Sequence, residues 1–425
     1  MFRYTFALLM AACIAASAAE LSREARDRIR YARQVAKAGN SQSISELAPY
    51  LDDSSVEVRL EAVQAIAQIG TQYSLDPLVR ATRDNDPGVQ MRAVEGLVNF
   101  YLPGYTQGRF ERVGNAIKGR FTDTNDQVIP PYVGVREDVI KTLGVLARGG
   151  SSMESRAAAA RATGVLRGRA ALPDLLEALR SKDDTVLYET IVALQKINDP
   201  SVAPRVSVYV RDLNDRVQIA ALETVGLLRY EVAIPDLEKV YKEPRTDRAR
   251  RAALTSIAMM PEERNRGLFT AALADRDDMV RTAAAEGLGR LKQASDLDML
   301  ERAFNEERRM APRLAFAFAV VKLGRTELTE FSPLQYLVNT LNSRSYHGTA
   351  EGYLSELARQ AMVHEQLCSV LPQATRDEKI GLARVLAASG DARTRPHLEK
   401  LSRETDPQVA EEALRALRVL RVRTE

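Results

Sequence analysis

The chain has 425 residues, 45% of them hydrophobic and 28% charged, with 60 Lys and Arg against 57 Asp and Glu. That balance excludes a disordered chain, which lacks the apolar content to offset conformational entropy. It also lacks the basic excess of a nucleic-acid binder, and a single core for so long a chain would be unusually large.

The N-terminus stands apart. Arg3 supplies one positive charge, Phe6 to Ile14 is apolar, and Ala16, Ser17, Ala18 and Ala19 are small ahead of Glu20. This order predicts a secretory signal over residues 1–19, too short and wrongly flanked for a membrane span. It predicts export to a bacterial periplasm or cell envelope. Leu9 to Cys13 resembles a lipobox, so the alternative is a lipid anchor at Cys13. Cleavage near Ala18 or Ala19 is preferred, because the apolar run continues past the cysteine. After either event Cys368 is the remaining unmodified thiol, so no intramolecular disulfide is expected.

From residue 20 a period of 31 residues governs the sequence. Anchored at Arg59, it leads to Gln90, then after a gap through Arg156, Leu187, Gln218, Arg250, Arg281 and Pro312, and after a second gap to Lys379 and Ala410. Three residues after most anchors stands an alanine (Ala62, Ala93, Ala159, Ala221, Ala253, Ala284, Ala315, Ala413). Seven after them stands a larger apolar residue such as Ile66, Val225, Leu288 or Leu417. Positions −1, +3 and +7 share one stripe of an α-helix. Asp53, Asp84, Asp184, Asp215, Asp247, Asp278 and Asp406 lie just upstream, where they suit helix caps and the helix dipole. Prolines 77, 173, 204, 235 and 396 mark a preceding helix, since proline is tolerated in a first turn. A fixed period of helix–turn–helix units marks an all-α fold, an α-solenoid of stacked repeats. Allowing for units in the two gaps, about a dozen are expected.

The pattern of Asp278, Val280, Arg281, Ala284, Leu288 and Gly289, repeated by Val58, Arg59, Ala62, Ile66 and Gly70, resembles HEAT repeats, in particular the short phycobilisome-lyase HEAT-like type. The resemblance covers roughly residues 40–100 and 135–425. It implies an armadillo-like helical superhelix, and it says little of function, because one fold hosts unrelated tasks. A HEAT-like enzyme, deoxyhypusine hydroxylase, holds two irons through several His-Glu dipeptides; this chain has one, His364-Glu365.

The first gap, 66 residues from Gln90 to Arg156, contains an irregular tract over 101–134. It is too long for an ordinary connection and is rich in aromatic and Arg side chains, the composition of interface hot spots. Tyr101, Tyr105, Arg109, Phe110, Arg112, Arg120 and Phe121 are the predicted partner-binding residues; the opposing expectation is that they pin the tract onto its own repeats. A second irregularity lies near 339–353, a long turn or a hinge. Phe316, Phe318, Val320 and Val321 just before it are predicted core. The domain plan is therefore signal 1–19, repeats over 20–100, insertion 101–134 and repeats over 135–425.

Sequence signals for catalysis are sparse. His347, His364 and His397 lack the short spacings of metal ligands, and neither a phosphate loop nor a Gly-x-Ser-x-Gly nucleophile turn occurs. The repeat-locked arginines Arg59, Arg156, Arg250 and Arg281 are expected to brace one repeat against the next. No catalytic residue, metal or cofactor is expected. The reading is an exported non-enzymatic scaffold that binds a protein or peptide. The alternatives are a HEAT-like lyase or chaperone-like protein handling a bilin or other small ligand, and a lipid-anchored structural protein of the envelope.

Overall fold

The computed structural model describes residues 21–105 and 127–424, and among them the regular structure is helical throughout. The expected signal and Cys13 lie outside the described residues. So do Arg109, Phe110, Arg112, Arg120 and Phe121.

The chain begins with α1 (Arg23–Ala38). Helix pairs follow, the first four being α2 (Ile44–Leu47) with α3 (Val56–Ile69), α4 (Leu75–Ala81) with α5 (Pro87–Tyr101), α6 (Glu137–Gly149) with α7 (Met153–Val165), and α8 (Leu172–Ala178) with α9 (Asp184–Ile197). Next come α10 (Ala203–Val206) with α11 (Asp215–Leu227), α12 (Ile234–Lys242) with α13 (Asp247–Met259), α14 (Arg266–Ala272) with α15 (Asp278–Leu291), and α16 (Leu297–Glu306) with α17 (Met310–Lys322). The last are α18 (Pro333–Thr340) with α19 (His347–Leu357), α20 (Ala361–Val370) with α21 (Arg376–Ser389), and α22 (Arg395–Leu401) with α23 (Pro407–Thr424). The chain divides into two compact units: residues up to Gln127 with Val135–Thr190, and Val128–Gly134 with Ile191–Glu425.

The second helix of each pair carries the stripe. Ala221, Ala253 and Ala284 are completely buried, and α11, α13, α15 and α17 pack in succession through that face. The glycine that follows the stripe has a steric reason. A Cβ on Gly226 would lie 2.7 Å from Ser256 Cα, and one on Gly289 would lie 2.7 Å from Ala319 Cα. Backbone meets backbone there, so no larger residue fits. Phe316, Phe318, Val320 and Val321 are buried as expected.

The capping expectation needs correction. Asp86 and Asp406 do accept amide hydrogen bonds from the first turns of α5 and α23. At α9, α11, α13 and α15, however, the cap is one residue earlier, on Asp183, Asn214, Thr246 and Asp277. Asp184, Asp215, Asp247 and Asp278 occupy the first helical position, where the helix dipole still favours a negative charge.

Asp53 and Asp84 have another task. Arg59 donates from Nε and Nη2 to Asp84 at 2.7 and 3.0 Å, and from Nη1 to the Asp53 carbonyl at 2.8 Å. The same reach of 25 or 26 residues joins Arg28 to Asp53, Arg250 to Asp275, Arg281 to Glu307 and Lys379 to Glu404. A second rung, spaced by 28 residues, joins Arg161 to Glu189 and Arg384 to Glu412. The anchor arginines thus brace neighbouring repeats. Arg156 differs, donating instead to the Ala147 carbonyl at 3.2 Å.

The two gaps in the period differ in kind. In the first, α5 packs directly on α7 and α6 packs on both α7 and α8, so the insertion interrupts one repeat junction without adding a described helix pair. In the second, α18 and α19 form a full pair. His347, Ala350 and Leu354 occupy the anchor, +3 and +7 places there, with Ala350 and Leu354 buried.

Candidate partner-binding site

Helix α5 ends on aromatic residues, with Phe100 and Tyr101 edge to face at 4.9 Å between centroids. Gly104 adopts φ +90°, which suits glycine, and donates its amide to Asn99 Oδ1 at 3.0 Å. Tyr101 Oη then accepts the Arg136 amide at 3.2 Å, so the two ends of the insertion are tied side by side. The Arg136 guanidinium bridges Asp138 and Asp76, each at 2.6 Å. Hydrogen bonding from Asp138 and then Asp76 raises the guanidinium's pKa, and Arg136 holds the Asp138 carboxyl below the usual carboxylate range.

Tyr105 lies within electrostatic reach of Arg161, whose pKa is raised chiefly by its hydrogen bonds to Glu189. The structure therefore places Tyr101 and Tyr105 at the base of the insertion, Tyr101 with its hydroxyl already engaged. Within the second unit, the last residues of the insertion are anchored too. Ile129 is buried, and Tyr132 sits with its centroid 5.9 Å from the Arg418 guanidinium of α23.

Beside the insertion, α4 and α6 leave a groove of about 640 Å³. Its floor is the contact of Thr82 and Thr142, hydroxyl to hydroxyl at 3.3 Å, and Val79, Val145, Arg83 and Lys141 contribute to its walls. Gln90, an anchor residue, closes one end by donating to the Asp84 carbonyl and accepting from Ser151. Arg136, Asp76 and this groove went unsignalled in the sequence, because they depend on which residues flank the insertion in space.

A buried cluster of titratable groups joins α15, α17 and α19. Arg290 donates to Glu356 and Glu286, Tyr353 donates to Glu286 at 2.6 Å, and Lys322 pairs with Glu356 at 2.9 Å. Phe318 stacks on Tyr353 at 4.8 Å. Burial raises the Tyr353 phenol well above its ordinary range. This cluster locks α19 onto α15 and α17 and leaves no reactive group open. Burial also pushes the Cys368 thiol up to about 11, which leaves it protonated and a poor nucleophile at neutral pH. Among the described residues no group of three or more His, Cys, Asp and Glu is arranged to hold a metal ion. No described helix is long and apolar enough to cross a membrane.

The family model for HEAT repeats matches residues 15–128, 173–258 and 246–320. The chain belongs to the HEAT-repeat family. The match is to HEAT repeats in general, and it includes the Arg59–Asp84, Arg250–Asp275 and Arg281–Glu307 braces. No curated protein matches the sequence. Among solved structures, an engineered protein is 18% identical, with 90% of this chain and 99% of that one covered, at a TM-score of 0.38. YIBA_ECOLI is 17% identical over 72% of this chain and 98% of its own, at 0.43. Importin beta is 14% identical over 88% of this chain and 62% of its own, at 0.40.

Proposed function

We propose that this HEAT-repeat chain is an exported, non-enzymatic scaffold of the bacterial periplasm or cell envelope. In this reading it captures a protein partner through the insertion at 101–134. The observation that carries the reading is how the arginines are used. Arg59, Arg250 and Arg281 of the regular repeats are engaged in bracing, whereas the insertion breaks the period with an aromatic and Arg-rich tract tied at its base. Departures from a repeat are where side chains are free to answer to a partner.

The test is a cross-linking capture from the native host with the full chain and with the combined Tyr105→Ala, Arg109→Ala, Phe110→Ala variant. A binding role predicts loss of the captured partner with a melting temperature that barely moves. A drop of several degrees with the partner retained would make the tract a brace and end the proposal. Mass spectrometry of the N-terminus tests the export part: cleavage near Ala18 or Ala19 supports it, a diacylated Cys13 favours the lipid anchor, and intact Met1 in the cytoplasm overturns both.

A further inference from the structure

Unlike Arg59, Arg250 and Arg281, which brace neighbouring repeats through carboxylates, Arg313 rests against aromatic rings. It follows Pro312, which occupies the anchor place of α17 and has no side chain able to brace. The Arg313 guanidinium lies 5.2 Å from the Phe304 centroid and 4.8 Å from that of Tyr336, and these two rings meet edge to face at 5.5 Å. Its Nε is buried with no hydrogen-bond partner. The Tyr336 hydroxyl is engaged with Met310 Sδ at 3.2 Å, so the ring is fixed in place. Burying a guanidinium edge without an acceptor is costly, and the two rings only hold the plane in position.

Arg313 lines a groove of about 330 Å³ together with Glu330 and Phe331 from the segment between α17 and α18. Two more features face that groove. Gln335 Nε2 donates to Asn339 Oδ1 at 2.6 Å, which leaves Gln335 Oε1 as an acceptor and Asn339 Nδ2 as a donor. One acceptor beside one donor is the complement of a peptide unit. Phe331 is 86% exposed and held at φ +66°, a conformation that bulky residues rarely adopt. The ring stands at the groove's rim, available to an apolar side chain. Glu330 also lines the groove, and its charge disfavours a polyanion there.

We infer that this groove is a second recognition site, which takes an extended segment of a protein partner with one Asp or Glu side chain directed at Arg313. The carboxylate meets the guanidinium fork in the bidentate geometry that a planar, pre-oriented arginine favours. The Gln335–Asn339 amides hold the adjoining peptide unit, and an apolar side chain of the partner covers Phe331. The inference rests on the reading of the chain as a partner-binding protein, but on a different set of residues from the insertion.

The experiment probes the full chain against an array of randomised octapeptides acetylated and amidated at their ends, so that carboxylates come only from Asp and Glu. Bound peptides are expected to share one acidic position beside an apolar one, and to lose at least tenfold in affinity when that position becomes Asn or Gln. Arg313→Gln is expected to abolish the acidic preference with the helical signal retained. Asn339→Ala, on the exposed side, guards against misfolding and is expected to weaken binding threefold or more. Absence of binders, binders indifferent to both substitutions, or displacement by polyphosphate at stoichiometric levels would overturn the inference. The capture experiment on the insertion is decided separately, so either proposal can fall alone.

Discussion

Helices α15 and α17 are neighbours built on the same repeat, yet they treat arginine in opposite ways. Arg281 of α15 donates to Glu307 at 2.9 Å and to the Asp275 carbonyl at 2.9 Å. Arg313 of α17 rests against two aromatic rings. The helices themselves are equally core-like, with Ala284, Leu288, Ala315 and Phe318 completely buried. The difference teaches that stacking and recognition are separable in this chain: the stripe sets the packing, and the place just off the stripe is free to face a neighbour or a partner.

The comparison fails if α17 is simply a weaker helix. Phe318→Ala tests that first and carries the largest expected effect. The ring is buried, stacks on Tyr353 and lies 5.1 Å from Arg290. Emptying such a site costs about 3–5 kcal/mol, read by denaturant unfolding. A loss below about 1 kcal/mol would show that α17 is not part of the common core. Arg281→Met and Arg313→Met then sharpen the contrast. The first removes hydrogen bonds from the guanidinium to Glu307, Asp278 and the Asp275 and Arg276 carbonyls and leaves Glu307 without its charged partner, for a loss of about 1.5–3 kcal/mol. The second removes only contacts to rings and relieves a buried, unpaired Nε, so stability stays within about 1 kcal/mol of the original. Equal losses would mean that Arg313 is a brace after all.

What the sequence discloses follows from the physics of each feature. The stripe was legible because burial against a neighbour constrains residue type at fixed spacing, as Ala62, Ala284 and Gly289 show. The arginine braces were legible in outline, because Arg59 and Arg281 recur in register with acids. Helix α19 escaped notice because its anchor is His347, displaced from the strict period by the longer turn before it. Helix α1 escaped because Tyr31 stands where the stripe has alanine, although Arg28 keeps the 25-residue reach to Asp53. The caps were misplaced by one residue, since Asp at the cap and Asp at the first helical position look alike in sequence. Arg313 carried no signal at all. Its character depends on its packing against Phe304 and Tyr336, which only the spatial arrangement of those rings reveals.

The smallest expected effect is a pH dependence that separates the paired charges from a buried neutral one. His364 of α20 is buried, and its Nε2 lies 2.9 Å from Thr394 Oγ1, which itself accepts the Asp391 amide at 3.1 Å. The hydroxyl can still donate to the ring or accept from it, and a neutral imidazole serves this buried pairing in either tautomer. Burial lowers the pKa of His364; Arg393 and His397 act in the same direction, while Asp391 and Glu365 oppose them. A folded pKa below the unfolded value means that the unfolded chain binds the extra proton. The stabilisation is therefore complete above about pH 6.5 and shrinks as pH falls through and below that value. The braced carboxylates, such as Asp275 held low by hydrogen bonding to Arg250, have the same sign but act only below their unfolded values, near pH 4. Between about pH 6.5 and pH 5 the slope thus belongs mainly to His364. Melting temperature followed from pH 7.5 to 5 is expected to decline over that window, and His364→Gln, which keeps a polar partner for Thr394, is expected to flatten the decline. An unchanged slope in the variant would assign the effect to other groups and break the separation.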